Sequence, residues 1–292
     1  TITFGALANK TYGAASFTVA ATASSGLTPS YSIVSGPATL SGSTVTLTGA
    51  GTVVVRASQA GDGNHTAATA VDQTFTVAKA TLMVTADAKS RVYGAANPTF
   101  TATIAGYVNS ETSAVLSGTA SVTTTATTTS TVGDYAITAA AGTLSATNYD
   151  FSFTAATLTV SKASLSVAAN PAARVFGAAN PTFSATLTGF VNSETLSASG
   201  VTGGAAFTTA AGATSIVGAY AITPALGTLA SANYAFTTFT DGVLMISQAN
   251  AAVALGNLTQ TYSGSPRPVS VTTSPTGLSV AVTYDGNAVA LL

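Results

Sequence analysis

Apolar and polar residues alternate along most of this chain. The alternation is visible in Thr18-Val19-Ala20, Thr74-Phe75-Thr76-Val77 and Thr99-Phe100-Thr101-Ala102-Thr103-Ile104, and Val53-Val54-Val55 adds a β-branched run. It continues in Leu158-Thr159-Val160 and Val280-Ala281-Val282-Thr283-Tyr284. β-branched and aromatic residues at period two fit strands with one buried face. Turn residues interrupt these runs about every 8–12 positions, as in Ala60-Gly61-Asp62-Gly63-Asn64 and Tyr284-Asp285-Gly286-Asn287. Thr toward solvent and Val, Leu, Ile or Phe toward the interior predicts two-layer β modules. Two places break the pattern. In Tyr107-Val108-Asn109-Ser110-Glu111-Thr112 and Phe190-Val191-Asn192-Ser193-Glu194-Thr195, an Asn or Ser precedes Glu. That spacing predicts an N-capped helical turn with the acid near its positive end. The expected fold class is therefore mainly all-β, with one short helix in each central module.

Internal repetition sets the organisation. Residues 91–111 and 174–194 are identical at 16 of 21 positions, at an offset of 83. Further on, Val132-Gly133-Asp134-Tyr135-Ala136-Ile137-Thr138 matches Val217-Gly218-Ala219-Tyr220-Ala221-Ile222-Thr223 at an offset of 85. Gly142-Thr143-Leu144 and Asn148-Tyr149-Asp150-Phe151 match Gly227-Thr228-Leu229 and Asn233-Tyr234-Ala235-Phe236 at the same offset. Two copies of one module thus occupy 80–162 and 163–248. The flanks carry looser versions of the same start, in Lys10-Thr11-Tyr12-Gly13 and Gln260-Thr261-Tyr262-Ser263-Gly264. They define a first module over 1–79 and a partial one over 249–292. Half a repeat cannot bury a core alone, so the sequence is expected to be a segment of something longer.

Around Lys79, Lys162 and Gln248, where modules meet, there is no Gly/Ser-rich or Pro-rich spacer. The last strand of one module should pass almost directly into the first of the next. Linkers this short restrict freedom between modules. The expectation is a semi-rigid, elongated rod of small β-sandwich or β-grasp-like modules.

Composition narrows the function. Only 6% of residues are charged, against about 25% in typical domains. Eight Lys and Arg against nine Asp and Glu cannot make the basic footprint of a nucleic-acid binder. Without Cys there are no disulfides and no thiolate zinc sites. Ten Tyr and twelve Phe supply enough to bury that disorder is not expected. Mean hydropathy is high at +0.46. Yet Thr, Ser, Asn or Gly breaks every apolar run well short of the ~20 residues a spanning helix needs.

Candidate chemistry is thin. His65, the one histidine, has Asp62 and Asp72 nearby in sequence, but there is no Gly-x-Ser-x-Gly elbow. Glu111 and Glu194 fall one per module, which cannot give the facing carboxylates of a glycosidase. Calcium would need several clustered oxygen ligands, and the junctions offer Lys79, Lys162 and Gln248 instead. Tyr149 and Tyr234 read as corner tyrosines that bury the ring and hydrogen-bond nearby backbone. The run Thr123 to Thr131 suggests a glycan cluster or a flat Thr surface, but its repeat copy, Phe207 to Ser215, does not keep it. No catalytic, cofactor-binding or metal residue is assigned, and no enzyme activity or cofactor is expected.

The segments VYGAANPTFTATIAGYVNSET with VGDYAITAAAGTLSATNYDFSFTAATLTV, and VFGAANPTFSATLTGFVNSET with VGAYAITPALGTLASANYAFTTFTDGVLMI, resemble MBG domains of the YGX type. Such domains recur in long bacterial surface and secreted proteins. The first module resembles the bacterial Ig-like repeats that often precede them, with His65 where an aromatic residue is usual after Gly-Asp-x-Asn. The last segment is similar to the first half of another MBG-type unit. The resemblance implies a non-catalytic stalk or spacer of a large adhesin-like protein, at the bacterial surface or outside the cell. The alternatives are a self-assembling filament or sheath body, and carbohydrate- or matrix-binding modules with exposed tyrosines such as Tyr107. The partners expected are neighbouring modules of the same chain, further copies in fibres, or surface glycans; nucleic acid is not one.

Overall fold

The computed structural model describes residues 1–261 and 263–284. Contacts divide it into two compact units, Thr1–Ala163 with Val191–Ser193, and Ser164–Phe190 with Glu194–Leu292. No helix among the described residues is long and apolar enough to cross a membrane.

Within the first unit, residues 1–79 build a four-stranded sheet in the order Lys10–Thr11, Ala68–Ala78, Gly51–Gln59, Ser30–Ser35. A three-stranded sheet, Phe17–Thr18, Thr44–Leu47, Ala38–Ser41, packs against it. Alternation does the work here. Val53, Val55 and Ala57 are fully buried, whereas Thr52 and Arg56 on the same strand are exposed. Phe17 meets Phe75 edge-to-face across the core, at 5.6 Å between ring centres.

Residues 80–162 form a second pair of sheets. In one, the central strand Ala80–Ala86 runs antiparallel to Ala102–Ala105 and parallel to Tyr149–Thr154. The other has the order Lys89–Val92, Ala156–Ser161, Gly133–Ala140, Ser121–Thr124, with the first pair parallel and the rest antiparallel. Leu82, Val84, Ile137, Leu158 and Val160 fill the space between, each at most 1% exposed.

The second unit repeats this order strand for strand between Ala163–Ala169 and Gly242–Ser247. Its core of Leu165, Val167, Ile222, Leu244 and Ile246 occupies the corresponding positions. The repeated module is thus a small mixed sandwich with parallel pairs, and no helix crosses a sheet as a β-grasp requires. Residues Ala252–Gly256 and Ser270–Ser274 add an antiparallel hairpin.

Two sequence expectations need correction. The helical turn does not start at Asn109 or Ser110, whose φ values of 54° and 60° are left-handed and form a tight turn. A three-residue 3-10 turn, Ser113–Val115, follows instead, capped by Thr112 with no acid in its first turn. In the second copy the equivalent stretch holds only turns, and Asn192 and Ser193 are again left-handed. Two consecutive residues with positive φ cannot open a right-handed helix. The second correction concerns 280–284, where no strand forms apart from a bridge at Tyr284. The repeat signal at Tyr262 and the turn at 285–287 lie outside the described residues.

Candidate functional site: the junction inside the first unit

The strand Ala68–Ala78 is separated from Ala80–Ala86 by Lys79 alone. Lys162 likewise stands alone between Ala156–Ser161 and Ala163–Ala169. At the first of these places the two sandwiches share one hydrophobic cluster. It runs from Ile2, Phe4 and Val53 through Tyr12 to Leu82 and Tyr149.

Tyr12 is the centre of the contact. Its backbone N–H donates to the Ala78 carbonyl at 2.8 Å, which anchors it beside the crossover. Its ring stands edge-on to Tyr149, 5.7 Å away at 87°. Its hydroxyl donates to Glu111 Oε1 at 2.8 Å. The Tyr149 hydroxyl donates to the other oxygen, Glu111 Oε2, and accepts the Val108 N–H at 3.0 Å. One carboxylate therefore joins a tyrosine from each side of the junction. Bonds to a charged acceptor are about twice as strong as neutral ones. Burial, and then the Glu111 bond, raise the Tyr149 pKa above its ordinary value.

The neighbouring Gly13 is required twice over. Its φ is +91°, and a Cβ there would lie 2.6 Å from the Val108 side chain. On the far side, the Asn148 side-chain oxygen accepts the Ala50 N–H at 3.0 Å. Lys79 Nζ reaches the Ala146 carbonyl at 3.4 Å and lies 3.8 Å from Asp150. The second unit repeats the internal part of this arrangement. The Tyr234 hydroxyl donates to Glu194 Oε2 at 2.6 Å, and Phe190 packs edge-on against Tyr234.

A second organising feature escaped the sequence reading. Arg91 is buried, and its guanidinium is held by carbonyls and amides rather than by an acid. Nε donates to Asn97 Oδ1 at 2.7 Å, and the other nitrogens to the Val92 and Thr127 carbonyls. Asn97 then donates to the Ala126 carbonyl at 2.7 Å. Arg174, Asn180, Val175, Gly212 and Ala211 reproduce the set. The sequence signal was the Arg-to-Asn spacing of six kept in both copies.

The candidate chemistry is not assembled. His65 Nδ1 lies 2.9 Å from Asp62, which also accepts two backbone N–H bonds in an exposed turn. Those bonds, the Asn64 amide foremost, hold the Asp62 carboxyl below its ordinary range. Asp72 is instead paired bidentately with Arg56 at 2.7 and 2.8 Å. Tyr107 is half-buried against Tyr149 at 6.2 Å, not an exposed platform. Among the described residues no three His, Asp or Glu gather as a metal site. In the Thr run, Ala126 is buried, the Thr127 carbonyl holds Arg91, and Ser130 Oγ accepts the Thr127 N–H at 2.8 Å.

Comparison with known proteins places these residues. The model of the MBG domain (YGX type) matches 82–159 and 165–245, and that of a further MBG domain matches 251–291. No curated protein matches the chain. Among solved structures, Drosophila N-cadherin EC1-4 is 8% identical with a TM-score of 0.19, over 75% of this chain and 67% of that one. A Bacteroides ovatus SGBP-B in complex with mixed-linkage heptasaccharide is 13% identical with a TM-score of 0.18, over 88% and 70%. Scores this low carry no argument. Two full-module matches over a twice-built sandwich do, and the chain belongs to the MBG domain family of the YGX type.

Proposed function

We propose that this chain is a non-catalytic spacer segment of a bacterial extracellular, adhesin-like protein. In this reading residues 1–79 are an Ig-like repeat, 80–162 and 163–248 are MBG modules, and 249–292 is part of another. The observation that carries it is the junction inside the first unit. Domains joined in one chain move relative to each other unless their interface is large and apolar. Here a one-residue linker, a shared core and the Tyr12–Glu111–Tyr149 bonds all oppose that motion. Two modules joined this way resist bending at their junction, which is what a spacer needs. Sparse Lys and Arg would also leave few cleavage sites for trypsin-like proteases outside a cell. Small-angle scattering of the 292-residue chain tests the proposal. The expected pair-distance distribution is skewed, with a long tail from modules in series; a symmetric curve of a compact globule would overturn it.

A further inference from the structure

Each MBG copy leaves one flank of its sandwich open, in the same way. In the first, the strands Ala102–Ala105 and Ser121–Thr124 are the outer strands of the two facing sheets. Between them lies a cavity of about 390 Å³ lined by residues including Phe100, Ile104, Leu116, Val122 and Leu144. The second copy has a cavity of about 350 Å³ lined by Phe183, Leu187, Val201, Phe207 and Leu229. These are the same positions at the repeat offsets of 83 and 85. The Thr run fails to repeat, but this groove repeats position for position.

Backbone geometry defines what the rim can bind. The Asp87 N–H donates to the Thr101 carbonyl at 2.9 Å, and the Asn170 N–H to Ser184 at 2.8 Å. Antiparallel alternation then turns Thr103 inward with Thr101 and directs the N–H and C=O of Ala102 and Ile104 outward. In the second copy the outward groups belong to Ala185 and Leu187. The side chains of Ala102 and Ile104 also line the cavity. Edges in natural proteins are usually guarded by Lys, Pro or inward charges. Neither cavity lining contains a charged residue or a proline.

We propose that these rims pair with the same rim of a second copy of this chain. An outward row of amides and carbonyls calls for a peptide strand, and an uncharged lining calls for an uncharged one. Ala102-Thr103-Ile104-Ala105 meets both demands itself. A two-fold axis at Thr103 sets Ala102 opposite the partner's Ile104 and Ile104 opposite its Ala102. Each pair exchanges both backbone bonds, and both Ile104 side chains fall on the cavity side, closing the two grooves together. Such a contact is isologous. With an acceptor in each MBG copy, one chain can pair at two points and build a lateral array. This association goes beyond the spacer reading and is independent of it.

Sedimentation of the 292-residue chain tests the pairing. From about 5 to about 500 µM the weight-average mass should rise to twice that of the monomer or beyond. Ala102→Pro with Ala185→Pro deletes the outward N–H groups at edge positions where proline is tolerated, and should hold the chain monomeric. Amide exchange on the unmodified chain provides a second reading that needs no variant. Protection at Ala102, Ile104, Ala185 and Leu187 should grow with concentration. A mass that stays monomeric throughout, a proline variant that associates like the parent, or protection that appears only with added oligosaccharide would overturn the proposal.

Discussion

The two MBG copies, 82–159 and 165–245, are one structure written in two sequences. Some of what they keep and lose follows environment, although buried Tyr93 becomes exposed Phe176 and exposed Val92 is kept as Val175. Several buried positions are held: Leu82 and Leu165, Tyr149 and Tyr234, Arg91 and Arg174 are all less than about a tenth exposed and identical in type. Several exposed ones drift. Thr127 and Thr128 become Gly212 and Ala213, and Asp87 becomes Asn170 while keeping its bonds to the neighbouring strand. Substitution is tolerated where water can replace a lost partner and resisted where nothing can. The module is therefore specified by its core, its Arg–Asn latch and its Tyr–Glu bond.

The comparison breaks first at the tyrosines. Tyr149→Ala and Tyr234→Ala should each destabilise their own copy by about 3–5 kcal/mol, since both rings are fully enclosed. Hydrogen exchange read copy by copy during denaturant titration would show it, and unequal losses would mean that the copies are not equivalent. Next come Arg91→Ala and Arg174→Ala, which strip partners from several carbonyls and should cost about 2–3 kcal/mol each. A loss below about 0.5 kcal/mol would show that the latch is ornamental.

Alkaline pH is a milder probe. Tyr149 has its pKa raised by burial and by the Glu111 bond, so folding favours its neutral form. That contribution is complete below the ordinary tyrosine pKa of about 10 and is lost as pH rises beyond it. Stability of the first unit should fall from about pH 10 upward, and the fall should be shallower in Tyr149→Phe. Smallest of all, Asp87→Asn and Thr128→Ala should stay within about 0.5 kcal/mol of the parent, because the second copy already carries an amide and an alanine at those places.

Part of this is legible in the sequence. β-branched enrichment and alternation mark the strands through Val53–Val55, Thr74–Val77 and Leu158–Val160 and name few of the others. They overrun at Thr18–Ala20 and Thr99–Ile104, whose strands are Phe17–Thr18 and Ala102–Ala105. The repeat offsets align Leu82 with Leu165 as surely as the fold does. The corner reading of Tyr149 was also right in its essentials, since the ring is buried and its hydroxyl accepts a backbone N–H. Glu111 was misread because local spacing suggests a helix start, while its partner Tyr12 stands 99 residues away. The Arg91 latch stayed hidden for a related reason. Its acceptors are carbonyls, and a carbonyl has no letter in the sequence. Sandwich and β-grasp were indistinguishable because both are short amphipathic strands until pairing order is known.

The central claim is that the first junction is locked. Since the chain has no native Cys, spin labels can be placed uniquely at the exposed Thr39 and Thr123, on strands of the two sandwiches in the first unit. Pulsed dipolar spectroscopy then reads the distance between them. A single narrow distribution is predicted, broadening when Tyr12→Phe and Glu111→Gln are combined. A broad distribution in the parent chain would contradict the account.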